Sequence, residues 1–136
     1  MTSKEISVFK AFVNAINQAD TKELKKLMSE DHIFVDAAGR KEVGCEKMIK
    51  GWKTYFEMFP NYKIEIEDII QEKEIIGAFG TATGTYKGKR GLVPQNIIKM
   101  PAAWRALIRE GKVKLWQVYA DWTEGMKIIE EDQKSG

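Results

Sequence analysis

Two aspartates and one histidine, each set among apolar and aromatic residues, are the groups in this chain best suited to proton transfer. Asp36 ends the run His32-Ile33-Phe34-Val35-Asp36. Asp121 lies near the end of Leu115-Trp116-Gln117-Val118-Tyr119-Ala120-Asp121-Trp122. A carboxylate among Phe, Trp and Tyr is costly to ionise, so its pKa is expected to rise towards neutrality. That is the range a general base for carbon acids needs. His32 would polarise a substrate carbonyl or relay a proton. Each residue also has a quieter reading. Asp36 would cap the turn at Ala37-Ala38-Gly39, Asp121 would pair with a Lys or Arg, and His32 would be a satisfied structural side chain. Cys45, at an expected helix start, is either a thiol of lowered pKa or a buried structural one. Lys87, Lys89 and Arg90 would meet an anionic group or simply be a solvated hairpin tip. Gly88-Lys89 is followed by Arg, so the segment is not a P-loop. No Ser-His-Asp arrangement forms, because the serines lie at the termini, in the first helix and before the first strand.

The elements that must hold these groups follow from hydrophobic periodicity. Ile6, Phe9, Val13 and Ile16, widened by Phe12, predict a helix over 3–18, with capping-box spacing at Thr2 and Glu5. Asp20 and Glu23 start a second helix carrying Leu24, Leu27 and Met28. His32 to Asp36 reads as a strand in which His32, Phe34 and Asp36 share one face, followed by a loop with Gly39 and Gly44. Met48, Ile49, Trp52, Tyr55, Phe56 and Phe59 predict a third helix over 46–59, stopped by Pro60.

From Tyr62 the period becomes two, through Ile64 and Ile66. Ile75 to Tyr86 is a strand with bulge-prone Gly77, Gly80 and Gly84. Gln95–Ile108 and Lys112–Trp122 form a hairpin through Glu110-Gly111, with an edge or bulge at Pro101. On the last strand Leu115, Gln117, Tyr119 and Asp121 oppose Trp116, Val118, Ala120 and Trp122. Both faces are partly apolar, so either can line a pocket. A short acidic helical tail begins at Glu124.

Helices followed by strands indicate an α+β fold. The expected architecture is a cone-shaped fold of three N-terminal helices packed on a strongly curved, mostly antiparallel β-sheet, in one domain over 1–136. The cone's interior is a natural small-molecule pocket. Phe34, Trp52, Tyr55 and Phe56 would line it, and Trp104, Trp116 and Tyr119 would close its mouth. Such walls suit a flat, apolar ligand.

Composition narrows the class. The chain has 136 residues, of which 43% are hydrophobic and 31% charged, enough for a core and unlike a disordered chain. A formal net charge of +2, with both signs interspersed, argues against nucleic-acid binding. One Cys and one His allow neither an internal disulfide nor a Cys/His zinc site, so no metal and no cofactor are expected. A free cysteine suits a reducing compartment, the start of the chain lacks signal-peptide character, and no apolar run approaches the ~20 residues of a membrane span. These features together predict a soluble cytoplasmic protein with no membrane partner.

This order of elements, with Ser29-Glu30-Asp31-His32-Ile33-Phe34-Val35-Asp36 after the second helix and the late Asp121 on the closing strand, resembles the nuclear transport factor 2-like superfamily. Within it the chain looks most like the SnoaL-like and ketosteroid-isomerase-like groups. The likeness places Asp36 where ketosteroid isomerases keep their proton-shuttling aspartate. It places Asp121 where SnoaL-like cyclases and limonene-type epoxide hydrolases keep a catalytic aspartate. It also implies homodimers through the open face of the sheet, for which Ile64, Ile66, Trp116 and Trp122 would supply an apolar patch.

Departures from the resemblance narrow the chemistry. Phe12 stands at the helix position of the isomerases' oxyanion Tyr, and the position of their protonated Asp falls near Ala103. Losing even one such donor costs ~10²–10³ in rate. The strand Gly77-Ala78-Phe79-Gly80-Thr81-Ala82 supplies neither the Arg nor the Asp of the limonene-type hydrolases. The resulting expectation is a protein that binds a small apolar carbonyl compound against residues including Phe12. It would catalyse cofactor-free isomerisation, dehydration or aldol-type cyclisation, with Asp36 or Asp121 as base and His32 assisting. The alternative is a non-catalytic ligand-binding or protein-interaction domain.

Overall fold

A computed structural model of the chain describes residues 2–135; Met1 and Gly136, the ends of the expected 1–136 domain, lie outside the described residues. Helix α1 (Lys4–Asn17) starts at Ser3, whose Oγ accepts the Ile6 amide at 3.0 Å. The cap expected at Thr2 and Glu5 is displaced by tertiary contacts. Ser3 Oγ also donates to Gln71 Oε1 at 2.6 Å, and Glu5 accepts from Gln71 Nε2 at 3.0 Å. Helix α2 (Thr21–Leu27) starts as expected, with the Asp20 carboxylate accepting the Glu23 amide at 3.1 Å. Helix α3 (Cys45–Met58) ends just before Phe59-Pro60.

Strand β1 (Met28–Val35) is longer than the expected run, and β2 (Lys41–Val43), in the stretch expected to be loop, folds back on it. Then come β3 (Lys63–Glu72), β4 (Ile75–Thr85), β5 (Ile97–Arg109), β6 (Lys112–Ala120) and helix α4 (Thr123–Lys134). Glu110 and Gly111 both have positive φ, 53° and 74°, the signature of a type I′ hairpin.

Among the described residues the fold is α+β, with four α-helices and a six-stranded sheet in the order β2-β1-β6-β5-β4-β3. Every pairing is antiparallel except β1–β6. That parallel ladder is broken: Met28 pairs with Val113, and pairing resumes only at Ile33 and Leu115. The His32 ring bridges the gap, its Nδ1–H donating to the Val113 carbonyl at 2.7 Å. At Gly80 a Cβ would lie 1.8 Å from the Glu65 carbonyl oxygen, beside the β3 bulge between Ile66 and Asp68. Only glycine permits that approach. Pro101 pairs with Thr81, while the β6 ladder begins one residue later at Ala102. The strand is therefore locally an edge there, as a proline requires.

The core lies between α1–α3 and one face of the sheet. Phe9 and Phe12 pack on Trp116 with ring centroids 5.2 and 4.7 Å apart, and all three rings are buried. Ile64 and Trp116, expected on an exposed apolar patch, face this core instead. The exposed large apolar groups of the sheet, among the described residues, are Val43, Ile70, Phe79, Ile97 and Tyr119. Among the described residues no helix is long and apolar enough to cross a membrane.

His32 is fully buried, and burial holds its pKa below the ordinary 6.5, outweighing the Val113 carbonyl and Asp31 that favour the proton. The folded state therefore binds this proton more weakly than the unfolded chain. Stability should be level above about pH 6.5 and fall as the pH drops below it. Urea unfolding midpoints at pH 7.5 and pH 5.5 should show this loss at about those values, above the carboxylate range, and His32→Asn should flatten it.

Candidate functional site

Met48, Trp52 and Tyr55 of α3, with its C-cap Phe59, repeat at helical spacing and turn one largely aromatic wall towards the sheet. Trp52 meets Phe34 of β1 edge-on at 6.2 Å and Tyr55 at 6.0 Å. Tyr55 meets Tyr62 edge-on at 4.9 Å, and Phe59 lies 6.1 Å from Trp122. Facing this wall are Ala82 of β4, Met100 and Trp104 of β5, and Trp116, Val118 and Ala120 of β6. Trp122, Met126 and Ile129, at i, i+4 and i+7, close one end from α4. Between the walls is a cavity of about 640 Å³. It persists because Gly51, Ala82 and Ala120 are too small to fill it. All four tryptophans of the chain line it.

Polar groups enter at two places. Asp36, Arg40 and Glu42 form the rim at the β1–β2 turn. Asp36 Oδ1 accepts the Ala38 and Arg40 amides, both at 2.9 Å, and Oδ2 accepts from the Arg40 guanidinium at 3.0 Å. Burial pulls the Asp36 pKa up, but the two amides and the guanidinium outweigh it and hold the carboxyl below its ordinary range. The expected rise towards neutrality is therefore reversed: the turn-capping bonds favour the charged form. Deeper inside, burial pushes the Tyr62 phenol up to about 12 and raises Tyr55 further, helped by the neighbouring Tyr62. Both hydroxyls stay protonated at neutral pH; the Tyr55 hydroxyl is turned to Tyr62 as a donor, which leaves the Tyr62 proton for a bound oxygen.

Of the residues predicted from sequence, the cavity brings together Phe34, Asp36, Trp52, Tyr55, Trp104 and Trp116. Five others lie outside its lining. Phe12 is sealed in the core against Trp116, and Phe56 stacks on Trp52 with centroids 5.4 Å apart. Tyr119 is exposed on the opposite face of β6, because Trp116, Val118 and Ala120 take the inner one. Asp121 follows Tyr119 outwards; its Oδ1 accepts the Thr123 hydroxyl at 2.6 Å and the Thr123 amide at 2.9 Å, which hold its pKa low. His32 is fully buried outside the lining, its Nδ1 committed to the Val113 carbonyl and its Nε2 left without a partner. Ala103 also faces outwards, between Phe79 and Tyr119. The inward positions of β5, Met100, Ala102 and Trp104, carry no acid either.

Burial raises the Cys45 thiol instead of lowering it. The anion that the Lys87–Arg90 segment meets is the chain's own Asp132, whose Oδ2 accepts the Lys89 amide at 2.7 Å and whose Oδ1 accepts the Arg90 amide at 2.8 Å. Sequence reasoning missed Tyr62 and α4 as cavity walls. The 122/126/129 spacing on the tail was the available signal. Among the described residues, no three His, Cys, Asp or Glu side chains gather as a metal site.

The sequence pattern of the SnoaL-like polyketide cyclase family matches residues 6–124. No curated protein matches the chain. Among solved structures, a protein from Jannaschia sp. CCS1 described as a SnoaL-like polyketide cyclase superposes with TM-score 0.79 at 15% identity, covering 98% of this chain and 94% of that one. An LEH-like epoxide hydrolase from M. tuberculosis gives 0.78 at 14%, covering 97% and 93%. A protein of ketosteroid isomerase-like fold from Catenulispora acidiphila, in complex with trimethylamine, gives 0.77 at 19%, covering 88% and 89%. At these identities the likeness is one of fold.

An NMR titration should place Asp36 below the model-peptide value of ~3.9. Arg40→Ala should move it upwards but leave it well short of neutral, because the Ala38 and Arg40 amides remain. A wild-type value near neutrality would contradict this geometry.

Proposed function

The chain belongs to the SnoaL-like polyketide cyclase family, and on that premise we propose that it binds a small, flat, apolar carbonyl compound in the cone-shaped space between its helices and sheet. The observation that carries this reading is the cavity itself: about 640 Å³, walled by eight aromatic side chains, with two protonated phenols inside and charge only at the rim. Apolar walls with a few placed polar groups are the usual makeup of a small-molecule site. Tyr62, backed by the Tyr55 hydroxyl that donates to it, would donate to the ligand's carbonyl oxygen in place of the donors that Phe12 and Ala103 cannot supply. Asp36 would take the proton in a cofactor-free isomerisation, dehydration or aldol-type cyclisation. The free thiol of Cys45 fits a reducing, cytoplasmic setting.

One observation favours a non-catalytic binding domain instead. Asp36 is stabilised as a carboxylate by three hydrogen bonds, which makes it a weak base. Tryptophan fluorescence reads binding, since every tryptophan lines the cavity, and turnover separates the two readings. A panel of flat aromatic ketones should quench it saturably. Asp36→Asn should keep that binding and abolish turnover of any ketone the wild type converts. Retained turnover removes Asp36 from the role, and absence of quenching by every ketone overturns the reading.

We further propose a homodimer through the outer face of the sheet. Phe79 and Tyr119, 49% and 50% exposed, stand in one row across Ala103, which makes a strip that a second copy can cover. Sedimentation should show a dimer that Phe79→Glu and Tyr119→Glu each convert to monomer without loss of fold.

A further inference from the structure

We infer that α4 is a hinged lid on the cavity, latched at its far end by the carboxylate of Asp132; as a gate, it rests on the cavity being the ligand site. Trp122, Met126 and Ile129 put α4 on the cavity wall. Yet the fully buried residues of this helix are Gly125 and Asp132, with no apolar side chain among them. Trp122, Ile128 and Ile129 are only half-buried, and Met126 is 48% exposed. Apolar burial holds α4 weakly, so its position depends on polar contacts. Elements of this kind open at the lowest free energies in a fold.

Those contacts converge on one group. Asp132 Oδ2 accepts the Lys89 amide at 2.7 Å, and Oδ1 accepts the Arg90 amide at 2.8 Å and Asn96 Nδ2 at 2.9 Å. The Arg90 guanidinium stands 3.5 Å away. Lys89 Nζ donates to the Gln133 carbonyl at 2.8 Å, closing the helix end onto the same loop. The keeper is shaped for the carboxylate: at Gly88 a Cβ would sit 1.9 Å from Asp132 Oδ2. The loop is itself tied to the cavity's other wall, since the Lys87 amide donates to the Met58 carbonyl at 2.8 Å.

A carboxylate withdrawn from water is tolerable only while fully bonded, and it recovers its hydration when released. The latch is therefore a small difference between large terms, which suits a two-position element. The swing point is Asp121-Trp122, between β6 and α4. Across this joint Asp121 Oδ1 accepts the Thr123 amide and hydroxyl, and α4 has no side-chain cap of its own at Trp122.

Asp132→Asn and Gly88→Ala break the latch from opposite sides. Both carboxylate oxygens accept hydrogen bonds, so Asn must turn its NH₂ against a backbone N–H. Gly88→Ala leaves the helix sequence untouched. Amide hydrogen exchange over 126–134 should accelerate about tenfold or more in both variants, while β4 and β5 amides keep their protection. Stopped-flow entry of the neutral probe N-phenyl-1-naphthylamine, read by energy transfer from tryptophan, should quicken in both. If Gly88→Ala does not fold, Asp132→Asn decides alone. Unchanged exchange on α4, or α4 and sheet amides accelerating together, overturns the lid. Probe binding with an unchanged entry rate overturns the gate while leaving the ligand reading intact. Failure of the wild type to take up any probe counts first against the ligand reading and leaves a gate nothing to admit.

Discussion

One constraint organises this protein: the inner face of a six-stranded sheet is apolar, and the N-terminal helices cannot cover all of it. Phe9 and Phe12 of α1 reach the sheet at Trp116 and seal that end as solid core. Towards Ala82, Met100 and Ala120 no helical side chain fills the space. Two of those sheet residues, Ala82 and Ala120, are small, and α3 offers flat rings that contact one another. A packed end and a hollow end thus follow from where large residues meet large ones and where they do not. The exposed wall of the hollow end still needs shielding, and α4 supplies it.

The hollow end makes the polar groups matter, because each buried polar atom needs a partner. The chain repeatedly uses a side chain where backbone pairing fails. His32 crosses the break between β1 and β6. Asn17, at the end of α1, both donates to and accepts from the backbone of Ile64, at 2.9 and 2.7 Å, and so behaves like a neighbouring strand. Asn61 does the same for Thr85 through its amide and hydroxyl. Asp132 belongs to this set, but it alone ties down an element with no fully buried apolar side chain.

The edges and faces of the sheet divide their tasks by charge. Edge strand β3 carries Glu65, Glu67, Asp68 and Glu72 and so repels another edge. The outer face around Ala103 is apolar and uncharged at Phe79 and Tyr119. Association is therefore disfavoured at the β3 edge and permitted across the outer face.

Much of this was legible in the sequence. Helical spacing in Phe9/Val13/Ile16 and in Trp52/Tyr55/Phe59, the stop at Pro60, the Glu110-Gly111 hairpin and the in-phase trio His32, Phe34 and Asp36 depend on local stereochemistry, which neighbouring residues dictate by themselves. The α+β class and the aromatic makeup of the cavity follow from the same patterns. What local pattern could not decide is which side of β6 faces inwards, because both sides are partly apolar. Only packing against Phe9 and Phe12 turned Trp116 in and sent Tyr119 and Asp121 out. Nor could it foresee the charge state of Asp36, which depends on a turn that delivers two amides and Arg40 to one carboxylate. The meeting of Asp132 with the loop at Lys89 and Arg90, more than forty positions apart in the chain, lay equally out of reach. Such contacts are set by how the sheet brings distant segments together, and a carboxylate responds to the charges and amides around it in space, whatever its neighbours in sequence.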